Sequence, residues 1–388
     1  MRRVYLDSNS TTRLDPRVLE AMLPFFKEYY GNPSNIHNFG RETKEAIEQA
    51  RKKVSEFLKC DPLEIVFTSS GTESDNLALI GTYKAYGVQK DHLIISAVEH
   101  NAVRKAAYFL KKWHNVKVTE LPVDRYGQVD PDDLQKAITD KTYLVSIMHV
   151  NNEVGTIQPI KECAEIAHKY GALFHTDAVA SAGKLPLDVN ELGVDLLTIS
   201  AHKIHGPKGV GALYIRRGVQ IESILYGGEQ EFERRPGTEN VPGIIGLGEA
   251  VKIADAELKA GMPQKIAALR DYLEAQITNN ISEVCINGHP QNRVSNVLNV
   301  GFAYIEGEAL LLNLDLEGIA VSSGSACSSG SGQPSHVLLA MRVPLKYINA
   351  PVRFSLDKYT TQKDLDYTIE VLIKVVKRLR AISPLGQI

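Results

Sequence analysis

Cysteine is scarce in this 388-residue chain: Cys60, Cys163, Cys285 and Cys327 lie far apart, with no Cys-x-x-Cys pair. That spacing argues against a disulfide framework or a zinc site and leaves reduced thiols as the expectation. Long apolar runs are missing too, and nothing approaches the roughly 18 consecutive apolar residues of a membrane-spanning helix. The opening stretch, MRRVYLDSNSTTRLDP, has two arginines but reaches Asp7 before an apolar targeting segment can form. A cytoplasmic protein without a membrane partner is therefore expected. Nor is one sign of charge in excess. Lys and Arg number 44 against 46 Asp and Glu, for a net charge of −2, so no whole-protein basic field draws in nucleic acid. What is present, 44% hydrophobic and 23% charged residues, is the balance of a globular chain long enough for more than one domain.

From about residue 60 to 215, short apolar runs alternate with helix-like stretches. EIVFTS, HLIISA, VKVTELP, TYLVSIMHV, GALFHTDA, DLLTISA and GALYIRR read as strands, and helices are expected to start near Glu73, Ala102, Asp130 and Ile160. Such α/β alternation predicts a mostly parallel sheet covered by helices, with ligands beyond the carboxyl ends of the strands. From about residue 260 the pattern changes to helices mixed with SNVLNVGF, IAVSSGSAC and VRFSLDK, which reads as a smaller α+β domain. The expected division is a large domain at 15–259 and a small domain made of 1–14 and 260–388. Low complexity is confined to SSGSACSSGSG at 322–332.

Two strand-end segments carry the strongest chemical signal. HTDA at 175–178 follows GALF, and SAHK at 200–203 follows VDLLTI, so Asp177 and Lys203 should emerge at one edge of the sheet. Pyridoxal phosphate (PLP) needs a lysine that forms a Schiff base with its aldehyde and an acid that keeps its pyridine nitrogen protonated. Asp177 and Lys203 suit those roles, although either alone could be a helix cap or a surface lysine. TSSGTESDN at 68–76 runs from a strand into a helix, where Gly71 permits a tight turn and Thr72 lies near helix amides that suit a phosphate. A capping box of Ser70 and Glu73 explains the same residues without a ligand. Ser200 and His202 could add donors to that phosphate, whereas His205 reads as structural. In AVEHNAV, His100 stands where a strand hands over to a helix and could stack on the ring and carry protons. In MHVNNEVG, Asn151 and Asn152 could bond the cofactor or a substrate carboxylate, or simply form a turn.

Cys327 differs from the other thiols in its Ser/Gly-rich setting, since a thiol on flexible chain can travel to a partner. Cys60, Cys163 and Cys285 read as inert. Arg353, in VRFSLDK, could pair bidentately with an α-carboxylate or serve as an ordinary ion pair.

Assembled in order, YLDSNSTT, GNPSNIH, SGTESDN, VEHNAV, HVNNEVG, HTDAV, SAHKIHGPKGVGALY, RRPGTENVPGIIGLGEA, SSGSAC and VRFSLDKYTT resemble the cysteine desulfurases of the NifS/IscS family over nearly the whole length. The resemblance implies a fold-type I PLP-dependent transferase, with a mostly parallel seven-stranded sheet in the large domain and a smaller α+β domain. It implies that Lys203 bonds the cofactor, Asp177 holds the pyridinium, and His100 stacks and moves protons. Gly71, Thr72, Ser200 and His202 would hold the phosphate, joined by Thr238 from the neighbouring subunit of a homodimer. Asn152, also a candidate cofactor contact, would bind the substrate side with Arg353. Cys327 would take sulfur from L-cysteine as a persulfide and carry it to an acceptor such as an iron–sulfur scaffold protein or the machinery of tRNA thiolation. Cys327 could also ligate an iron–sulfur cluster shared with that scaffold.

One position departs from the family pattern. Val-Gln commonly follows HTDA, the Gln donating to the phenolic oxygen of PLP, whereas this chain has Val179 and Ala180. Ala donates nothing, so weakened cofactor use is expected. A selenocysteine lyase would use the same residues, and a non-catalytic assembly partner would fit a decayed site. An aminotransferase gives no reason for Cys327.

Overall fold

The structure, a computed structural model, describes residues 2–323 and 334–384. Its strands in chain order are β1 (Val4–Tyr5), β2 (Ile65–Thr68), β3 (His92–Ser96), β4 (Lys117–Leu121), β5 (Thr142–Ser146), β6 (Leu173–Asp177), β7 (Leu196–Ser200), β8 (Gly211–Ile215), β9 (Val284–Asn287), β10 (Val297–Phe302), β11 (Ile319–Ala320) and β12 (Pro351–Ser355). A seven-stranded sheet runs in the order β2-β8-β7-β6-β5-β3-β4. Only β8 opposes its neighbours, β2 and β7; the other pairings are parallel, as the α/β alternation predicts.

The sequences IVFT, HLIIS, TYLVS, LLTIS and GALYI are buried at every position. Continuous burial follows from helices on both faces, so these strands need no polar side. β3 shows the division: Ile94 packs in the core with Val54 and Leu247, from the helices Asn38–Leu58 and Val241–Lys259. Its neighbours Leu93 and Ile95 face the core that contains Val103, Ala107 and Leu110 of the helix Asn101–His114. The edge strand β4, KVTEL, is largely exposed or half-buried.

A second core lies around the antiparallel sheet β12-β10-β9. Leu298, Val300, Phe302, Val352 and Phe354 pack there against Leu273 and Ile277 of the helix Met262–Asn280 and Leu365, Leu372 and Val376 of the helix Gln362–Ile382. The N-terminal β1 pairs in parallel with β11, and Asp7 bridges to Ser355, so the first residues close onto this region. The helix Asn38–Leu58 is not among the sequence expectations. It is nonetheless bounded by ordinary signals: the His37 side chain accepts from Gly40 N, and Lys59 ends it in the left-handed conformation at φ 58°. The expected helix near Glu73 begins at Gly71, with Ser70 accepting from Glu73 N.

Candidate active site

The carboxyl ends of β2, β3, β5, β6 and β7 lead into one cavity of about 440 Å³, where an open α/β sheet binds ligands. β7 ends at Ser200 and the chain turns through Ala201–Lys203, the amides of Ile204 and Gly206 both closing on Ala201 O. This turn brings Lys203 into the cavity. Its Nζ donates to Ser10 O at 2.9 Å and also to Asn9 O, both from the segment that follows β1.

Asp177 ends β6 and is buried; Oδ1 accepts from Val179 N at 2.9 Å. His100 caps the helix Asn101–His114, its Nδ1 accepting from Ala102 N at 3.2 Å. A ring nitrogen of His100 and carboxylate oxygens of Asp177 and Asp75 lie within 4.8 Å of one another. Burial raises the Asp177 pKa above the usual carboxylate value despite the attraction of His100 and Lys203, and burial lowers that of His100. Asp75 is raised further, by burial and then by the Asp177 charge. The neighbouring Glu99 accepts from Ser96 Oγ at 2.6 Å and Met148 N at 2.8 Å, while burial pushes it up to about 8. Several buried acids around one cavity cannot all ionise cheaply. Among the described residues, Asp177 is held by the Val179 amide and forms no ion pair with an arginine.

A neighbouring part of the wall is short of an acceptor. Ser200 Oγ is buried and, among the described residues, has no hydrogen-bond partner; it lies beside Gly71 and Thr72 at the start of the helix Gly71–Asn76. A side chain at position 71 would come within 2.9 Å of Val179 Cγ2, so glycine keeps this approach open. His202, lowered to about 4 by burial and the cations Lys203, Lys208 and Lys184, is neutral, and its Nδ1 lies 3.2 Å from Thr11 Oγ1. A ligand with a cationic ring N–H at one end and an anion at the other answers both needs, and PLP has that form.

Arg353, on β12, reaches the cavity across the chain's two cores. Its Nη1 donates to Asn152 O at 3.0 Å, and its Nη2 to Asp7 Oδ1 at 2.9 Å and Ser10 Oγ at 2.8 Å. Asn152 lines the cavity, but Asn151 does not serve as a ligand. Its side chain is fully buried, donating to Val98 O at 3.0 Å and accepting from the amides of Glu153 and Val154. His205 is likewise occupied, its Nδ1 lying 2.9 Å from Arg13 O. Ala180 lines the cavity as an apolar wall.

One expected residue is not brought to the cavity within this chain. Thr238 is exposed, in the segment before the helix Val241–Lys259, and does not line the cavity. Cys327 lies outside the described residues. Its flanks are nevertheless at the site: Ser322 N donates to Arg353 O at 3.3 Å, and Pro334 and His336 line the cavity. Ser335 donates to the buried Glu153 Oε2 at 2.6 Å, and His336 Nε2 is 3.0 Å from Glu99 O. Sequence reasoning missed Asp75, Glu99, Glu153 and Lys184 as cavity residues. Three of them sit inside motifs already singled out, SGTESDN, VEHNAV and HVNNEVG, but adjacency in sequence does not reveal which side chain turns inward.

Residues 4–368 match the aminotransferase class-V family. The chain is 53% identical to cysteine desulfurase IscS of Dictyoglomus turgidum, covering 100% of this chain and 98% of that relative. It is 49% identical to the IscS of Methanosarcina thermophila, covering 98% and 94%. Among solved structures, a NifS-like protein superposes with a TM-score of 0.92 at 40% identity, covering 97% of this chain and 100% of the other. A structure described as SspA in complex with cysteine gives 0.81 at 34% identity, covering 92% and 100%. Sheet order, cavity position and full-length similarity agree, and the chain belongs to the class-V aminotransferases and, within them, to the cysteine desulfurases of the NifS/IscS family.

Proposed function

We propose that this protein removes sulfur from L-cysteine, releasing L-alanine and leaving a persulfide on Cys327. The observation that carries this reading is convergence. Lys203, Asp177 and Arg353 come from three distant parts of the chain to one cavity, and both flanks of the Cys327 segment adjoin it. Asp177 would face the pyridine nitrogen of PLP and His100 the ring, while Gly71, Thr72, Ser200 and His202 would hold the phosphate, with Thr238 of a second subunit. PLP bound there supplies an aldehyde for covalent attachment and a ring that withdraws electrons from the substrate α-carbon. Arg353 and Asn152 orient the substrate carboxylate, which competes with Asp7 and Ser10 for the guanidinium. Lys203 takes the α-proton once its amine is free, and His100, neutral in this site, accepts and returns protons nearby.

Cys327 acts as a thiolate. Its Sγ attacks the substrate sulfur, an S–S bond forms as the C–S bond breaks, and the three-carbon fragment gains protons and leaves as L-alanine. The persulfide then passes to an acceptor, an iron–sulfur scaffold protein or a tRNA-thiolating enzyme, with Cys327 also available as a ligand to a cluster on that scaffold. The working form is a homodimer in the cytoplasm, each subunit divided into 15–259 and the pairing of 1–14 with 260–388. Support for that division comes from the two separate cores and from Gly261, which starts a new helix in the left-handed conformation at φ 77°.

The test is alanine and sulfide production from L-cysteine with PLP and reductant, beside Cys327→Ser. Equal yields that vanish in the variant support the proposal. Protein that binds PLP yet forms no alanine would sink it in favour of a non-catalytic assembly partner.

A further inference from the structure

Lys184 was not expected at the site, yet it lines the cavity. It ends the turn that follows β6, in which Ser181 N and Ala182 N bond Ala178 O and Lys184 N bonds Ser181 O at 2.9 Å. From there its Nζ crosses to the next strand end and donates to Lys203 O at 3.0 Å, with a longer contact to Ala182 O at 3.4 Å. The side chain thus ties the turn that carries Asp177 to the turn that carries Lys203.

Its charge is as notable as its contacts. Among the described residues no carboxylate lies within ion-pair distance of Lys184, whereas Lys358 close by pairs with Asp15 at 2.7 Å and Glu257 at 2.8 Å. Burial and the charge of Lys203 bring Lys184 down to about 7, only partly offset by Asp357. Asp177 and His100 face Lys203 from the β6 and β3 ends, and Lys208 lies near His202. His202 and His205 are both lowered, chiefly by burial, and are neutral. Asp357 is engaged at Oδ1 by Tyr359 N at 2.9 Å, and Lys358 is already compensated. Arg353, which shares Ser10 with Lys203, is paired with Asp7, so Lys184, partly charged near neutrality, adds positive charge beside Lys203 that no ion pair among the described residues offsets.

We propose that Lys184 is a positioning residue for Lys203: it anchors the carbonyl of the Lys203 turn and supplies a neighbouring positive charge that makes the Lys203 nitrogen release its proton more readily. A like charge disfavours protonation of its neighbour, and a lysine that must exchange protons gains from such a neighbour. The proposal rests on the reading that Lys203 carries the cofactor.

The test uses full-length protein loaded with PLP. The visible absorption band is followed against pH in the wild type, Lys184→Met, Lys184→Gln and Lys184→Arg, with thermal melts and PLP dissociation measured alongside. The pH midpoint of the band should rise by about half a unit to one unit in both the Met and Gln variants, which lack the charge. The Arg variant, charged at every pH of the titration, should lie at or below the wild-type midpoint. Lowered melting temperatures with an unmoved midpoint in Met and Gln would overturn the role and leave Lys184 a structural tie. A wild type that forms no pH-dependent band, or a Lys203→Ala protein that keeps it, would instead overturn the cofactor reading and the role of Lys184 with it.

Discussion

At position 180 a single side chain separates this cavity from the commoner family pattern. Ala180 packs against the small cluster of Val150, Val294 and Val297 and offers no donor. One neutral hydrogen bond contributes roughly 0.5–1.5 kcal/mol, so Ala180→Gln should tighten PLP binding by about two- to tenfold. Equilibrium titration of the apoprotein with PLP measures this, and unchanged affinity would mean that the cavity has already compensated. Glu99 makes a different prediction. Its carboxyl stands at about 8 in the folded chain against an ordinary value of 4.5. A raised carboxyl is protonated in the native state while the unfolded chain ionises, so its contribution is complete below about pH 4.5 and is lost as pH rises toward 8. Glu99→Gln cannot ionise. Urea unfolding of the apoproteins at several pH values should therefore show the variant gaining on the wild type across that window and holding a constant difference below it.

The short helix His336–Ala340 gives the Cys327 segment its downstream foothold. Ser335 caps it by accepting from Val337 N at 3.1 Å and Leu338 N at 3.4 Å, and the same hydroxyl donates to Glu153. Glu153 is buried and raised above its ordinary value, chiefly by that burial. Ser335→Ala removes the cap and leaves a buried acid without this donor, a loss of about 1–3 kcal/mol in urea unfolding. If the foothold also positions the thiol, alanine production should fall in this variant with PLP affinity unchanged. Loss of PLP instead would mean that the element shapes the cavity rather than the approach of Cys327. The elements themselves were legible because most strands of the large sheet are short, largely apolar runs that alternate with helices. Asn151 and Asn152 were not separable, since adjacent residues in a turn face opposite ways and only the packing of Val98 and Glu153 decides which is consumed.

On the scale of the whole molecule, Gly71, Thr72, Ser200 and His202, proposed to hold the phosphate, line the cavity of one chain, and Thr238 does not. Phe26, Tyr30, Ile36, Tyr226 and Phe232 are exposed, apolar surface that the proposed second copy would cover. Thr238→Val should weaken PLP binding several-fold although the residue stands outside its own chain's cavity, and subunits of Thr238→Val mixed with Lys203→Ala should regain one intact site per mixed dimer. Unchanged affinity in Thr238→Val would separate the cofactor site from the subunit contact.

Local placement was readable from residues alone. A lysine and an aspartate at strand ends and a glycine opening a helix keep those positions wherever the strands go, because backbone direction and side-chain type are set within a few residues. What only the tertiary structure decided is which distant groups share a cavity. The order β7-β6-β5 brings Lys203, Asp177 and Asn152 side by side, the N-terminal segment supplies carbonyls for Lys203, and β12 carries in Arg353. Burial then raises the pKa of Asp75 and Glu99 and lowers that of Lys184, since desolvation depends on everything packed around a group and on nothing written beside it in the chain.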